Sequence, residues 1–291
     1  MAGGLKEVRE RITSVQNTMQ ITSAMKMVAA AKLRRAQEAI TRMRPYAEKL
    51  QAVLSNVSGS LDSGDGVFSE KREVKRVLLV AITSNRGLCG GFNNNIVKAT
   101  RIEMSDPSVT YHVLPLGKKS NDAFKKNKDQ AAQGFDADAW QIYDDLNFGR
   151  AQKVAKDIMV QFENGTYDEV KIIYNRFVNA GVQIPTTENY LPLAPIQSES
   201  ESKMDTDYIF EPSQEEIVER IIPDSLKVQL YKGLLDSNAA EHGARMTAMH
   251  QATENAGDLL RDLRISYNKA RQASITTEIL EIVSGSEALD S

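Results

Sequence analysis

Between residues 84 and 92 the chain reads Ser-Asn-Arg-Gly-Leu-Cys-Gly-Gly-Phe, where glycines, a cation and a nucleophile fall together. A glycine-rich turn between a strand and a helix can hold phosphate oxygens on its backbone N–H groups. Here the glycines fall at 87, 90 and 91, which is neither G-x-G-x-x-G nor the P-loop spacing followed by Lys and Ser/Thr. No acidic residue ends a second strand to take a ribose, so a tight turn requiring positive φ competes with nucleotide binding. Cys89 could serve as a nucleophile, its thiolate favoured by a helix N-terminus. With no histidine near it in sequence, a buried inert thiol is the plainer role. His112, His242 and His250 lack metal-ligand spacing. Glu278 and Glu281 share a helical face, but nothing converges on them to raise a pKa for general acid–base work. No residue set here assembles an active site.

The elements that would position these residues are dominated by the two ends of the chain. Positions 5, 8, 12, 15, 19, 22, 26, 29, 33, 36, 40, 43, 47, 50, 54 and 57 step by three and four, and only Thr22 and Lys26 are not apolar. A seven-residue repeat held this long predicts a helix that supercoils with a partner. Pro45 is expected to bend it. After Pro223 no proline follows, so a second long helix is expected from about Asp224, where Asp224 and Ser225 offer N-caps. Its matching stripe is Leu235, Ala239, Met246, Met249, Ala256, Leu260, Leu263, Tyr267 and Ala270. Packing of each helix separately on a central domain is the alternative.

The middle reads as strands alternating with helices: strands at 74–83, 109–116 and 169–178, and helices at 93–104, 118–126 and 148–164. Residues 181–184 and 208–210 are expected as edge or terminal strand pieces. Nearly continuous apolar runs such as VKRVLLVAIT suit a buried parallel strand. The fold class expected is therefore α/β: a long antiparallel two-helix coiled coil with an inserted Rossmann-like domain. The divisions are a coiled-coil helix at 1–57, the α/β domain at 74–211, and a short helix stopped near Pro223 followed by the long helix, at 213–291. Residues 58–66 read as a linker and 198–203 as a loop. Ser213-Gln-Glu-Glu216 reads as a capping box.

Composition supports a folded chain: 41% apolar, 26% charged and 6% aromatic over 291 residues. No apolar run reaches the length that spans a bilayer, and one cysteine excludes an internal disulfide. Neither a secretory nor a transit pattern is visible at the N-terminus. Residues 1–57 carry ten Lys/Arg against four Asp/Glu, and 198–224 carry nine Asp/Glu against two Lys/Arg. The basic arm could meet nucleic acid or an acidic protein surface, or be a solvated face.

Three blocks carry a family resemblance: 12–37 (ITSVQNTMQITSAMKMVAAAKLRRAQ), 84–92 (SNRGLCGGF) and 267–285 (YNKARQASITTEILEIVSG). Together they resemble the γ subunit of the F-type ATP synthase, nearly end to end, including Ile275-Thr276-x-Glu278-x-x-Glu281-x-x-x-Gly285. Asn85 and Ser286 depart from the usual Asp and Ala of that family, and the cysteine pair of the plastid form is missing. The resemblance implies a rotor without catalysis or cofactor of its own. Its partners would be a hexamer of α and β subunits, the ε subunit and the membrane c ring. Arg271, Gln272 and Thr276, with Met25 and Lys26, match positions that face β. Ile275, Ile279, Ile282 and Val283 extend the apolar character toward the C-terminal tip, which a sleeve supplied by the hexamer would cover, and Tyr208, Phe210 and Glu211 match contacts with the c ring. The expected place is the cytoplasmic side of a bacterial plasma membrane. A nucleotide-dependent α/β enzyme and a coiled-coil nucleic-acid binder remain as other readings.

Overall fold

In a computed structural model the described residues are 2–58, 67–70, 72–126, 130–193 and 214–287. Their order is α1 (Ala2–Ser58), β1 (Arg76–Ile82), α2 (Phe92–Glu103), β2 (Thr110–Leu116), α3 (Lys118–Phe124), a 3-10 turn (Ala139–Asp144), α4 (Phe148–Glu163), β3 (Glu169–Asn179), β4 (Val182–Leu191) and α5 (Gln214–Glu287). The contacts divide the chain into two compact units, one of residues 1–29 and 245–291, the other of residues 30–244.

The larger unit is built on a four-stranded sheet in the order β2-β1-β3-β4. β1 runs parallel to both β2 and β3, and β4 returns antiparallel to β3. The first three strands follow from their sequences. β1 is buried along Val77–Ile82, which is why its apolar run does not alternate. Leu78, Val80 and Ile82 face one layer, where α4 supplies Ala151, Ala155, Ile158 and Phe162 and α5 supplies Leu226, Leu230 and Leu234. Val77, Leu79 and Ala81 face the other layer, with Ile96 of α2 and Phe124 of α3. Asp168, nearly buried, accepts from the backbone N–H of Lys75 (3.0 Å) and Arg76 (2.8 Å), which fixes the entry of β1 beside β3.

Two expectations need correction. The strand expected at 181–184 is the start of a ten-residue β4, whose TENYL portion pairs with β3 and buries Tyr190 and Leu191. Its exposed outer residues, with Pro185 among them, disguised it as loop. The helix expected to stop near Pro223 instead continues through it as part of α5. An interior proline costs about 3 kcal/mol of helix propensity, and burial of Leu226, Leu230 and Leu234 on the sheet outweighs that. The linker at 58–66 lies, beyond Ser58, outside the described residues, as do 198–203, Ser213 and the strand expected at 208–210.

The heptad positions of α1 hold. From Leu5 to Leu50 every one of them is buried or half-buried, while most intervening residues are exposed. The α5 stripe from Leu235 to Ala270 is likewise buried or half-buried throughout. In the larger unit, α1 and α5 also border the sheet: Ala47 and Leu50 share a 310 Å³ cleft with Val228, Lys232, Tyr174 and Glu188. Pairing of the helices and packing on the α/β domain therefore coexist within one unit.

Candidate functional site

The glycine turn at the end of β1 is closed from within. Gly90 (φ 58°) takes the left-handed conformation expected of a glycine, and so does Leu88 (φ 62°), whereas Gly91 sits at φ −79°. Cys89 is 1% exposed and packs with Phe92, Phe177 and two alanines of α5, Ala240 and Ala244. In a doubly wound sheet a ligand would enter beyond the carboxyl ends of the strands. Here those side chains fill that place. The N–H of Ser84 donates to Asn93 Oδ1 (2.9 Å) and that of Phe92 to the Cys89 carbonyl (3.3 Å), so neither is presented to a phosphate. Asn93 Nδ2 donates to Cys89 Sγ (3.2 Å), and burial keeps that sulfur from acting as an accessible nucleophile.

Asn85 links two loops. Its Nδ2 donates to Asp144 Oδ1 (2.8 Å) and its Oδ1 accepts from the N–H of Lys118 (3.0 Å). The histidines are scattered. His112 on β2 stacks edge-on against Tyr167 at 5.5 Å, and burial, then Arg76, pushes its pKa down. His242 is buried on α5, and exposed His250 lies 3.3 Å from Lys26 Nζ and 3.6 Å from Glu254. Among the described residues no group of His, Cys, Asp or Glu could hold a metal ion. In the 310 Å³ cleft the Tyr174 hydroxyl donates to Glu188 Oε1 (2.7 Å). Burial, and then the hydrogen bond to Glu188, push the tyrosine pKa far up, so it is protonated at neutral pH and no base.

What the structure presents instead is unpartnered surface on long helices. Arg271, Gln272 and Thr276 are all exposed on α5, and the Thr276 hydroxyl donates to the Gln272 carbonyl (3.0 Å), placing the two on one face. Ile275, Ile279, Ile282 and Val283 are between 48% and 72% exposed. Met25 and Lys26 are half-buried on α1, and Lys26 meets His250 within the chain. Tyr208, Phe210 and Glu211 lie outside the described residues. Sequence reading overlooked Leu280, and also Ile21, Met27 and Val28, which are large, apolar, exposed and off the heptad seam. The signal was available: an apolar residue outside the repeat faces away from the partner helix. Exposed apolar residues grouped in this way mark a surface that other chains cover.

The comparisons with known proteins agree with this surface rather than with an enzyme cleft. The ATP synthase family model matches residues 4–289. The ATP synthase gamma chain of Flavobacterium johnsoniae is 54% identical over 98% of this chain and 99% of its own length. That of Flavobacterium psychrophilum is 55% identical over 98% of both chains. Among solved structures, a chain of the Tetrahymena thermophila mitochondrial ATP synthase central stalk and c-ring matches with a TM-score of 0.57 and 25% identity, over 80% of this chain and 99% of that one. A chain of the Euglena gracilis mitochondrial enzyme, TM-score 0.68 at 23% identity, covers 99% of this chain and 95% of its own, and is similar in fold. This chain belongs to the ATP synthase gamma chain family.

Proposed function

We infer that the chain is the central-stalk rotor subunit of an ATP synthase, coupling ion-driven rotation to conformational cycling of catalytic subunits. It is a non-catalytic member of a membrane-associated complex. Among the described residues no helix is long and apolar enough to cross a membrane.

The finer assignment is our proposal. The paired helices turn inside a hexamer of α and β subunits, and the α/β domain meets the ε subunit and the c ring. The assembly lies on the cytoplasmic side of a bacterial plasma membrane. Arg271, Gln272 and Thr276 hydrogen-bond a loop of β, with Met25 and Lys26 facing β from α1. Ile275, Ile279, Ile282 and Val283 sit in an apolar sleeve, and Tyr208, Phe210 and Glu211 meet the c ring. The observation that carries this reading is the exposed apolar run near the end of α5. A pair of helices lacks threefold symmetry, so three equivalent neighbours must each meet a different face. Different contact free energies bias each neighbour's conformation, and moving a site from mostly open to mostly closed takes roughly 5 kcal/mol.

The test is Arg271→Ala with Gln272→Leu in a reconstituted enzyme. Losing two exposed polar groups that contact nothing essential inside the chain leaves its own folding unchanged. ATP synthesis should fall at least about tenfold, as expected for roughly 1.4 kcal/mol of lost contact. Unchanged synthesis removes these residues from the β contact.

A further inference from the structure

In the unit of residues 1–29 and 245–291, polar contacts between described residues that join α1 to α5 include three. Arg9 Nη2 donates to the Tyr267 hydroxyl (2.8 Å). Thr253 Oγ1 and Thr22 Oγ1 lie 2.8 Å apart, one hydroxyl donating to the other, and each also reaches a carbonyl of its own helix, Met249 (2.8 Å) and Met19 (3.1 Å). Lys26 Nζ lies 3.3 Å from His250 Nδ1, which accepts when the ring is neutral. In each pair the residue numbers sum to 275 or 276, a single antiparallel register.

The apolar stripe does not select that register by itself. Along α5 the residues Met246, Thr253, Leu260 and Tyr267 repeat every seven positions, and so do Met249, Ala256, Leu263 and Ala270. Displaced by one heptad, the seam would still be mostly apolar. Thr22, only 9% exposed, would then meet Met246 or Leu260, and Lys26 would meet Gly243 or Gly257. The seam around the threonines is also soft, with Ala29, Met249 and Ala256 in place of interlocking branched side chains. Such a surface resists sliding and rolling poorly, and a polar pair at one seam position is an effective way to define how two helices meet. The two interruptions in the apolar repeat, Thr22 and Lys26, are the two seam residues whose polar atoms cross to α5 at its centre.

We propose that Thr22–Thr253, with Lys26–His250 beside it, sets the axial register and rotational phase of α5 against α1. These are positioning residues. In their register Ala2, the first residue of α1, lies opposite residues 273 and 274, so the segment from Ile275 onward has no described residue of α1 opposite it. That placement accounts for the exposure of Ile275, Ile279, Leu280, Ile282 and Val283. The consequence for coupling rests on the stalk reading, but the register does not.

The experiment places spin labels on the full chain at Ser14→Cys and Asp262→Cys, outward positions of the two helices in the same register. Buried Cys89 is not expected to take a label. The parent and a Thr22→Ser/Thr253→Ser variant, which keeps the hydroxyls, should each give one narrow distance. The shape-preserving Thr22→Val/Thr253→Val pair should remain helical but broaden that distribution about twofold or split it. A distribution as narrow as the parent's in the valine pair overturns the proposal. In the reconstituted enzyme the valine pair should also lower ATP synthesized per ion translocated, with the serine pair restoring it. Broadened distances with unaltered coupling would uphold the register and count against the stalk reading.

Discussion

At the scale of single residues, the informative position is Asn85. It stands where the resemblance leads one to expect aspartate, and it alone can donate to Asp144 while accepting from the N–H of Lys118. Asn85→Asp would bring two carboxylates to the 2.8 Å now spanned by that hydrogen bond. Like charges so close cannot both stay ionised without cost, so one carboxyl pKa rises in the folded variant. The sign follows directly. A carboxyl whose folded pKa exceeds its unfolded value destabilises the fold above that pKa, and the penalty disappears as pH falls through the carboxylate range near about 4. Asp144 is exposed and water screens the pair, so the loss at pH 7 should be about 1 kcal/mol or less. Urea titrations of the variant and parent at pH 7 and near pH 4, with and without salt, should show the deficit shrinking with acid and with ionic strength. A deficit independent of both would mean that the lost hydrogen bond, not repulsion, dominates.

At the scale of elements, α5 teaches the most about what sequence can reveal. The helix is continuous through Pro223, against the local rule that proline ends a helix. Leu226, Leu230 and Leu234 are spaced four apart and fully buried on the sheet, so tertiary burial overrides local preference. Pro223→Ala should therefore restore a backbone donor without altering the fold. The gain in the folded state approaches 3 kcal/mol, offset by the extra freedom of the unfolded chain, leaving about 2 kcal/mol of added stability. A higher thermal midpoint with unchanged far-ultraviolet circular dichroism would bear this out, and a lower midpoint would show that the local geometry proline imposes is needed for packing. The heptad seam and the three parallel strands were legible because periodicity and continuous apolar runs are set by burial itself. β4 was not, since Gln183 is only half-buried and Pro185 and Thr187 are exposed, so the stretch reads as loop. The polar cross-contacts were half legible: Thr22 and Lys26 stood out as breaks in the repeat, but their partners Thr253 and His250 depend on an antiparallel register that one strand of sequence does not contain. The glycine turn looked like a ligand site because its filling, Ala240 and Ala244, comes from far along the chain.

At the scale of the whole molecule, the question is why a folded chain tolerates so much exposed apolar surface near one terminus. Ile279, Leu280 and Ile282 are 55%, 62% and 72% exposed, on a stretch of α5 that has no residue of α1 opposite it in the observed register. Side chains that touch little in the folded chain contribute little to its stability, so their apolar character needs a second chain to explain it. Ile279→Gln, Leu280→Gln and Ile282→Gln together keep residues with good helix propensity and remove the apolar surface. Unfolding of the isolated chain should shift by no more than about 0.5 kcal/mol for each exposed site. Assembly is a different matter, because in the proposed sleeve burial of each large apolar side chain would contribute about 1.5 to 3 kcal/mol. The triple variant should therefore co-purify with its partner subunits at greatly reduced yield from native membranes, while the separately expressed chain remains as soluble and as stable as the parent. Destabilisation of the isolated chain by several kcal/mol would show that the segment folds back on its own molecule. Full co-purification would show that the apolar run is not what holds the helix in the complex.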